Sequence, residues 1–141
     1  MVRVLRLWPA LLLLLALMAV PLHAFGASFQ AAPRVLVLNA EGPVTPAMAS
    51  YLERGVQAAE ERGVPTVVVL NTPGGGIEIM QGIVRLFRNA QVPVIVYVGP
   101  PGAQAASAGS IVTLAAHASG MAPETVMGAA SPVGGEGQDI G

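Results

Sequence analysis

The sequence predicts an α/β fold with a mostly parallel sheet flanked by helices. Three apolar runs rich in β-branched residues, "RVLVLNA", "PTVVVLN" and "VPVIVYV", recur along the chain. Segments with helical periodicity separate them. Each run is continuous rather than alternating, as expected of parallel strands beneath helices.

Taken in order, residues 34–40 read as the first strand. "PAMASYLERGVQAAEERG" (46–63) reads as an amphipathic helix, with Thr45 as N-cap, Pro46 at its first position and Gly63 closing it. Residues 65–71 form the second strand, followed by the turn "TPGGG" and a helix over 77–89. Residues 92–98 form the third strand, and "AQAASAGSIVTLAAHAS" (103–119) is expected to be one continuous helix. After Gly120 the pattern shortens to two short strands around a Pro-Glu turn.

The ends of the 141-residue chain read differently. Arg3 and Arg6, the apolar stretch Leu11 to Val20 and the small residues of "PLHAFGAS" form an export signal over 1–26, cleaved after Ala24 or Gly26. An uncleaved anchor is the rival reading. A spanning helix needs about 20 apolar residues, and Pro9, Pro21 and His23 interrupt this one. A linker follows at 27–33. At the other end, "SPVGGEGQDIG" is a flexible loop by composition, so the domain is expected to be incomplete at its C-terminus, as a fragment or a prematurely ended reading frame.

Composition narrows the chemistry. Beyond residue 26 the chain holds five Arg against eight acids, a balance of −3 that offers no footprint for nucleic acid. There is no Cys, and His23 and His117 are the only histidines, which argues against a metal centre. All seven basic residues are Arg; there is no Lys.

Two glycine- or alanine-rich turns carry the candidate site. In "NTPGGGIEI", three successive glycines let a ligand approach bare N–H groups. A phosphate loop would need Gly-Lys-Ser/Thr, and a dinucleotide fingerprint would need Gly at position 79, which is Ile79. An oxyanion hole and a purely structural turn both remain open. In "PPGAQAASAGS", Ser107 opens a helix directly after a strand, on the sheet edge where the glycine turn sits. Ligands of open α/β sheets gather at that edge, and a helix N-terminus favours an adjacent oxyanion. Close packing of small residues explains the same composition.

No base is evident. On one continuous helix, His117 lies about 15 Å along the axis from Ser107 and reads as a helix-surface residue or C-terminal dipole partner. Glu53, Glu60, Glu61 and Glu78 read as solvated helix faces, Glu124 as a turn residue and Glu41 as a loop residue. Asp139 lies in the terminal loop. No Ser-His-Asp triad can be assembled.

The ordered set "NTPGGG", "PPGAQAASAGS" and "GMAPETVMGAASPVGG" resembles the Clp-type serine peptidases of the crotonase-like superfamily. Within them it is most similar to the membrane-bound NfeD serine proteases, over roughly residues 34–135, with a partial protease domain at 34–130 and a Gly-rich loop at 131–141. The resemblance implies Ser107 as nucleophile, with the N–H groups of Gly75 (or Gly74) and Ala108 as oxyanion hole. The Clp base would fall at Ala130, so a His base is contradicted. The NfeD type implies a Ser-Lys dyad, in which a desolvated amine accepts the serine proton; its Lys is expected after Gly141. The resemblance further implies an ATP-independent endopeptidase without cofactor or metal. It would be exported to the periplasmic or extracytoplasmic face and dimeric, attached to the membrane through C-terminal segments, and would act on apolar segments of stomatin-like partners. A non-catalytic membrane scaffold of the same fold is the alternative. A crotonase-like acyl-CoA enzyme is a weaker one, because acyl-CoA chemistry is mostly internal.

Overall fold

The computed structural model describes residues 34–131. The segments expected to form an export signal and a linker, and the glycine-rich segment beyond Ser131, lie outside the described residues. Six strands and three helices follow one another: β1 (Leu36–Glu41), α1 (Pro46–Arg62), β2 (Thr66–Asn71), α2 (Ile77–Asn89), β3 (Val94–Val98), β4 (Gln104–Ala106), α3 (Ala108–Ala115), β5 (Ala118–Met121) and β6 (Val126–Gly128).

Strands β1, β2, β3 and β5 form one sheet in the order β1-β2-β3-β5, and β4 pairs with β6 in a second, two-stranded sheet. Every one of these pairings is parallel. Parallel neighbours cannot be joined by a tight hairpin, so each connection must cross over, and the helices occupy those crossovers.

The first helix starts and stops on local chemistry. Thr45 Oγ1 accepts the Met48 N–H at 3.3 Å, and Pro46 occupies a position whose N–H would have no intrahelical partner. At the other end Gly63 adopts φ 61°, and Val64 N–H reaches back to the Ala59 carbonyl at 3.1 Å. That closure needs the left-handed conformation, which glycine takes without steric cost.

Leu38, Ala40, Val68, Leu70, Val94, Val96 and Val98 project from one face of the four-stranded sheet into a core shared with Leu52 and Val56 of α1, Ile83 and Phe87 of α2 and Val112 of α3. Gly55 brings α1 close to β1: a β-carbon there would sit 2.3 Å from Leu38 Cδ1. On the opposite face Val37 and Tyr97 are exposed and Val67, Val69 and Ile95 half-buried. Among the described residues, then, the core lies on one side of the sheet.

One expectation fails instructively. The segment 103–119 is not one helix. Its first part is β4, its middle is the eight-residue α3, and its end starts β5. An alanine-rich run favours helix by intrinsic propensity, but long-range ladders override it. Thr72 takes both ladder bonds of β4, donating to the Gln104 carbonyl at 2.7 Å and accepting from Ala106 N–H at 3.0 Å. At the far end β5 pairs with β3.

The reading of His117 changes with it. His117 lies past α3, at the amino edge of the sheet; its N–H donates to the Val94 carbonyl at 2.9 Å and its Nδ1 accepts the Val94 N–H at 3.2 Å. It staples β5 to β3 and is no helix-surface residue or dipole partner. Glu60 is likewise more than a solvated face, since its Oε1 accepts the Gln91 N–H at 2.8 Å. Glu41 closes β1 rather than lying in a loop, and Glu124 does sit in the β5–β6 turn, at φ 63°.

Phe87 is fully buried in the core. Phe87→Ala should therefore cost about 3–5 kcal/mol, read as a lower urea midpoint with little change in slope. A loss below about 1 kcal/mol would mean that the described core is not the one that holds the fold.

Candidate active site

The two small-residue turns meet at the carboxyl edge of the sheet. β2 leads into Thr72-Pro73-Gly74-Gly75-Gly76, and β3 leads through residues 99–103 into β4 and Ser107. An isolated bridge pairs Thr72 with Ala105. A β-carbon on Gly74 would lie 2.8 Å from Ser107 Cβ, 3.0 Å from the Ala106 carbonyl oxygen and 3.4 Å from Ala108 N. Gly74, at φ 107°, therefore meets both a conformational and a spatial demand for glycine.

Ser107 occupies a sharp strand-to-helix turn. It is the residue between β4 and α3, half-buried, with φ 52° and ψ −117°. Left-handed φ in a non-glycine residue costs on the order of 1–3 kcal/mol and persists only where the surroundings over-determine it. Here they do. Ser107 N–H donates to the Gly128 carbonyl at 2.8 Å, and its own carbonyl accepts Ser110 N–H at 3.0 Å. Such an elbow lifts the serine hydroxyl clear of the backbone.

The residues two before and two after the serine must be small for the turn to close. They are Ala105 and Gly109. A β-carbon on Gly109 would sit 2.4 Å from Thr72 Cγ2 and 3.5 Å from Ala105 Cβ. The small residues on both sides of Ser107 are thus required by the turn itself.

The sequence reading overlooked Ser110, three residues further on. It is 2% exposed, and its hydroxyl sits 2.7 Å from the Ala105 carbonyl and 2.8 Å from the Gly128 carbonyl while accepting Gly128 N–H at 2.9 Å. One proton can serve only one of the two carbonyls at a time. The side chain thereby ties β4, β6 and the start of α3 together. A serine on the inward face of a predicted apolar helix was the available signal.

Two N–H groups at this edge are left over. Val44 binds the glycine turn through its N–H to the Gly74 carbonyl at 2.7 Å and its carbonyl to Gly76 N–H at 3.3 Å, so Gly75 N–H takes no part in that bridge. Ala108 is the first residue of α3, where an N–H has no intrahelical partner. Neither donates to a backbone acceptor among the described residues.

Beside Ser107 lies an open cleft of about 540 Å³. Gly75, Gly76, Ile77, Met80 and Gln81 line one side, Ser107, Ala108 and Ile111 another, and Ala130 and Ser131 close it. No titratable side chain is among these ten residues. Ala130, where the Clp pattern would put its His, stands in the cleft with nothing to accept a proton.

Fold and site together define an α/β domain of the Clp type. A ClpP1 variant from Listeria monocytogenes shares the fold at TM-score 0.57 and 21% identity, covering 65% of this chain and 54% of its own. The family model for the NfeD1b N-terminal domain matches residues 34–141, and the chain belongs to that family. Membrane-bound protease PH1510 of Pyrococcus horikoshii is 38% identical over 106 residues, covering 74% of this chain and 24% of that protein. Membrane protein NfeD1b of Bacillus subtilis is 35% identical over 104 residues, covering 73% and 23%. Among solved structures, a lysine-to-alanine variant of the 1510-N membrane-bound stomatin-specific protease, in complex with a substrate peptide, matches at TM-score 0.72 and 36% identity, covering 78% of this chain and 52% of its own. The chain thus spans about a quarter of the length of these curated relatives.

Two stability outcomes follow from the geometry. Ser107→Gly should raise stability by about 1 kcal/mol, because glycine takes φ 52° without strain; a lower melting temperature would contradict the elbow. Ser110→Ala, which leaves the half-buried Gly128 N–H without its acceptor, should cost about 1 kcal/mol, and an unchanged melting temperature would show that the Ser110 ties carry no weight.

Proposed function

We propose that this chain carries the nucleophile and oxyanion hole of an exported, ATP-independent serine endopeptidase that cleaves apolar segments of membrane-associated proteins, stomatin-like partners among them. The observation that carries the reading is the strained Ser107 elbow facing a glycine turn whose Gly75 N–H has no partner among the described residues, beside a cleft walled by Ile77, Met80 and Ile111. Kinship with a membrane-bound protease supports the class.

In the proposed reaction Ser107 Oγ attacks the carbonyl carbon of the scissile peptide bond and passes its proton to a base. The carbonyl oxygen becomes an oxyanion and accepts hydrogen bonds from the N–H groups of Gly75 and Ala108. Gly74 serves by shaping the turn. Preorganised donors of this kind are each worth about 10²–10³ in rate. Collapse of the intermediate breaks the C–N bond, the departing amine takes the proton, and water then hydrolyses the acyl-serine.

The base is a lysine supplied from beyond Gly141. None of the 141 residues is Lys, Arg stays charged and cannot accept the proton, and Ala130 removes the His alternative. A desolvated amine can be neutral near pH 7 and so accept the serine proton. The solved relative in which a lysine is replaced by alanine alongside a bound substrate peptide supports that residue type.

The same cleft, free of titratable groups among its lining residues, favours a second reading: a membrane-associated scaffold that keeps the fold without the chemistry. Membrane attachment through further segments, and pairing of two copies, belong to both readings. No helix among the described residues is long and apolar enough to cross a membrane.

Ser107→Ala in the full-length protein should lower cleavage of an apolar-segment substrate by at least about 10³-fold while leaving the circular dichroism spectrum and melting temperature in place. Residual cleavage near the wild-type rate would sink the assignment, and a wild-type protein that cleaves nothing would favour the scaffold.

A further inference from the structure

The two proposed oxyanion donors come from different turns, so something must fix their separation. We propose that Thr72 is the positioning residue that does so, through its hydroxyl; the inference rests on the reading of Ser107 as nucleophile and of Gly75 and Ala108 as donors.

Thr72 is fully buried and touches both halves of the site. Its backbone holds the elbow: N–H donates to the Gln104 carbonyl and C=O accepts Ala106 N–H, both in the strand that ends one residue before Ser107. Its side chain holds the glycine turn, because Oγ1 accepts the Gly74 N–H at 3.1 Å and stands 3.4 Å from the Gly74 carbonyl. Its methyl faces Gly109, where a β-carbon would come within 2.4 Å of Cγ2. Other polar residues nearby reach only one half. Asn71 Oδ1 accepts Gln104 N–H, and Ser110 binds Ala105 and Gly128.

Without the hydroxyl, the buried Gly74 N–H loses its acceptor, and the three-glycine turn is left to the Val44 bridge, which ties it to the segment after β1 and not to the elbow. Gly75 would then shift relative to Ala108. Oxyanion donors act only when they stand about 2.7–3.1 Å from the developing charge, so a small displacement weakens the transition state. The apolar walls of the cleft are untouched, and ground-state binding should survive. An interaction used only in the transition state lowers the rate constant at saturation without a matching rise in the half-saturation constant.

The test measures phosphonylation of the full-length protein by an alkyl fluorophosphonate. In that reaction serine oxygen bonds to phosphorus, its proton passes to the base, the P–F bond breaks to release fluoride, and the phosphoryl oxygen occupies the oxyanion position. Thr72→Val, which keeps the shape and removes the hydroxyl, should lower kinact by about 10- to 100-fold with KI within about threefold. Thr72→Ser, which keeps the hydroxyl, should stay within about threefold of wild type in both. Thr72→Val with undisturbed kinact, or Thr72→Ser falling as far as Thr72→Val, overturns the proposal. If circular dichroism shows Thr72→Val unfolded, Thr72→Cys carries the test, since a thiol is a weak acceptor: a fall of at least about tenfold is expected, and an unchanged kinact overturns the role. Ser107→Ala separates the two levels. Its labelling would refute the nucleophile itself, whereas an unlabelled Ser107→Ala beside an undisturbed Thr72→Val refutes only the role of Thr72.

Discussion

The backbone of Ser107 is the constraint on which the site depends. At φ 52° and ψ −117° the residue cannot hold itself, and it is held from outside by Gly128 on one side and by the β4 ladder to Thr72 on the other. Strain of roughly 1–3 kcal/mol is a sizeable share of the stability of a domain of this size, and the network around it is correspondingly dense. Ser110, buried beneath the elbow, adds hydrogen bonding through a single hydroxyl.

From that constraint the composition follows. A tight strand-to-helix turn brings the flanking backbone together, so Ala105 and Gly109 are small. Because the second turn presses against the first, position 74 has no room for a β-carbon. The Val44 bridge presses on Gly75 as well, where a β-carbon would lie 2.3 Å from the Val44 carbonyl oxygen. Smallness at these positions is a consequence of holding one hydroxyl in place, and the cleft beside it inherits its apolar walls from the outward residues of α2 and α3.

Much of the fold was legible because its signals are local. Runs such as "TVVVLN" gave strands, Thr45 and Gly63 marked the ends of α1, and the order of strands and turns placed the glycine turn and Ser107 on one edge. What escaped was long-range. Residues 104–106 have helical propensity and become a strand only because Thr72 offers a ladder. Residues 118–121 follow β3 for the same kind of reason, which moved His117 from a helix end to a strand start. The parts of Ser110 and Thr72 were hidden likewise, since Gly128 lies 18 residues from Ser110 in sequence and the Gln104 and Ala106 partners of Thr72 lie beyond a whole helix and strand.

In the proposed reaction Gly75 and Ala108 point their N–H groups at the oxygen of a carbonyl attacked by Ser107. A crystal structure of the full-length protein with a peptide boronic acid, whose tetrahedral boronate mimics the intermediate, tests this most directly. A bond from Ser107 Oγ to boron is expected, with one boronate oxygen about 2.7–3.1 Å from both N–H groups. A boronate bonded elsewhere, or an oxygen turned away from the glycine turn toward solvent, would contradict it.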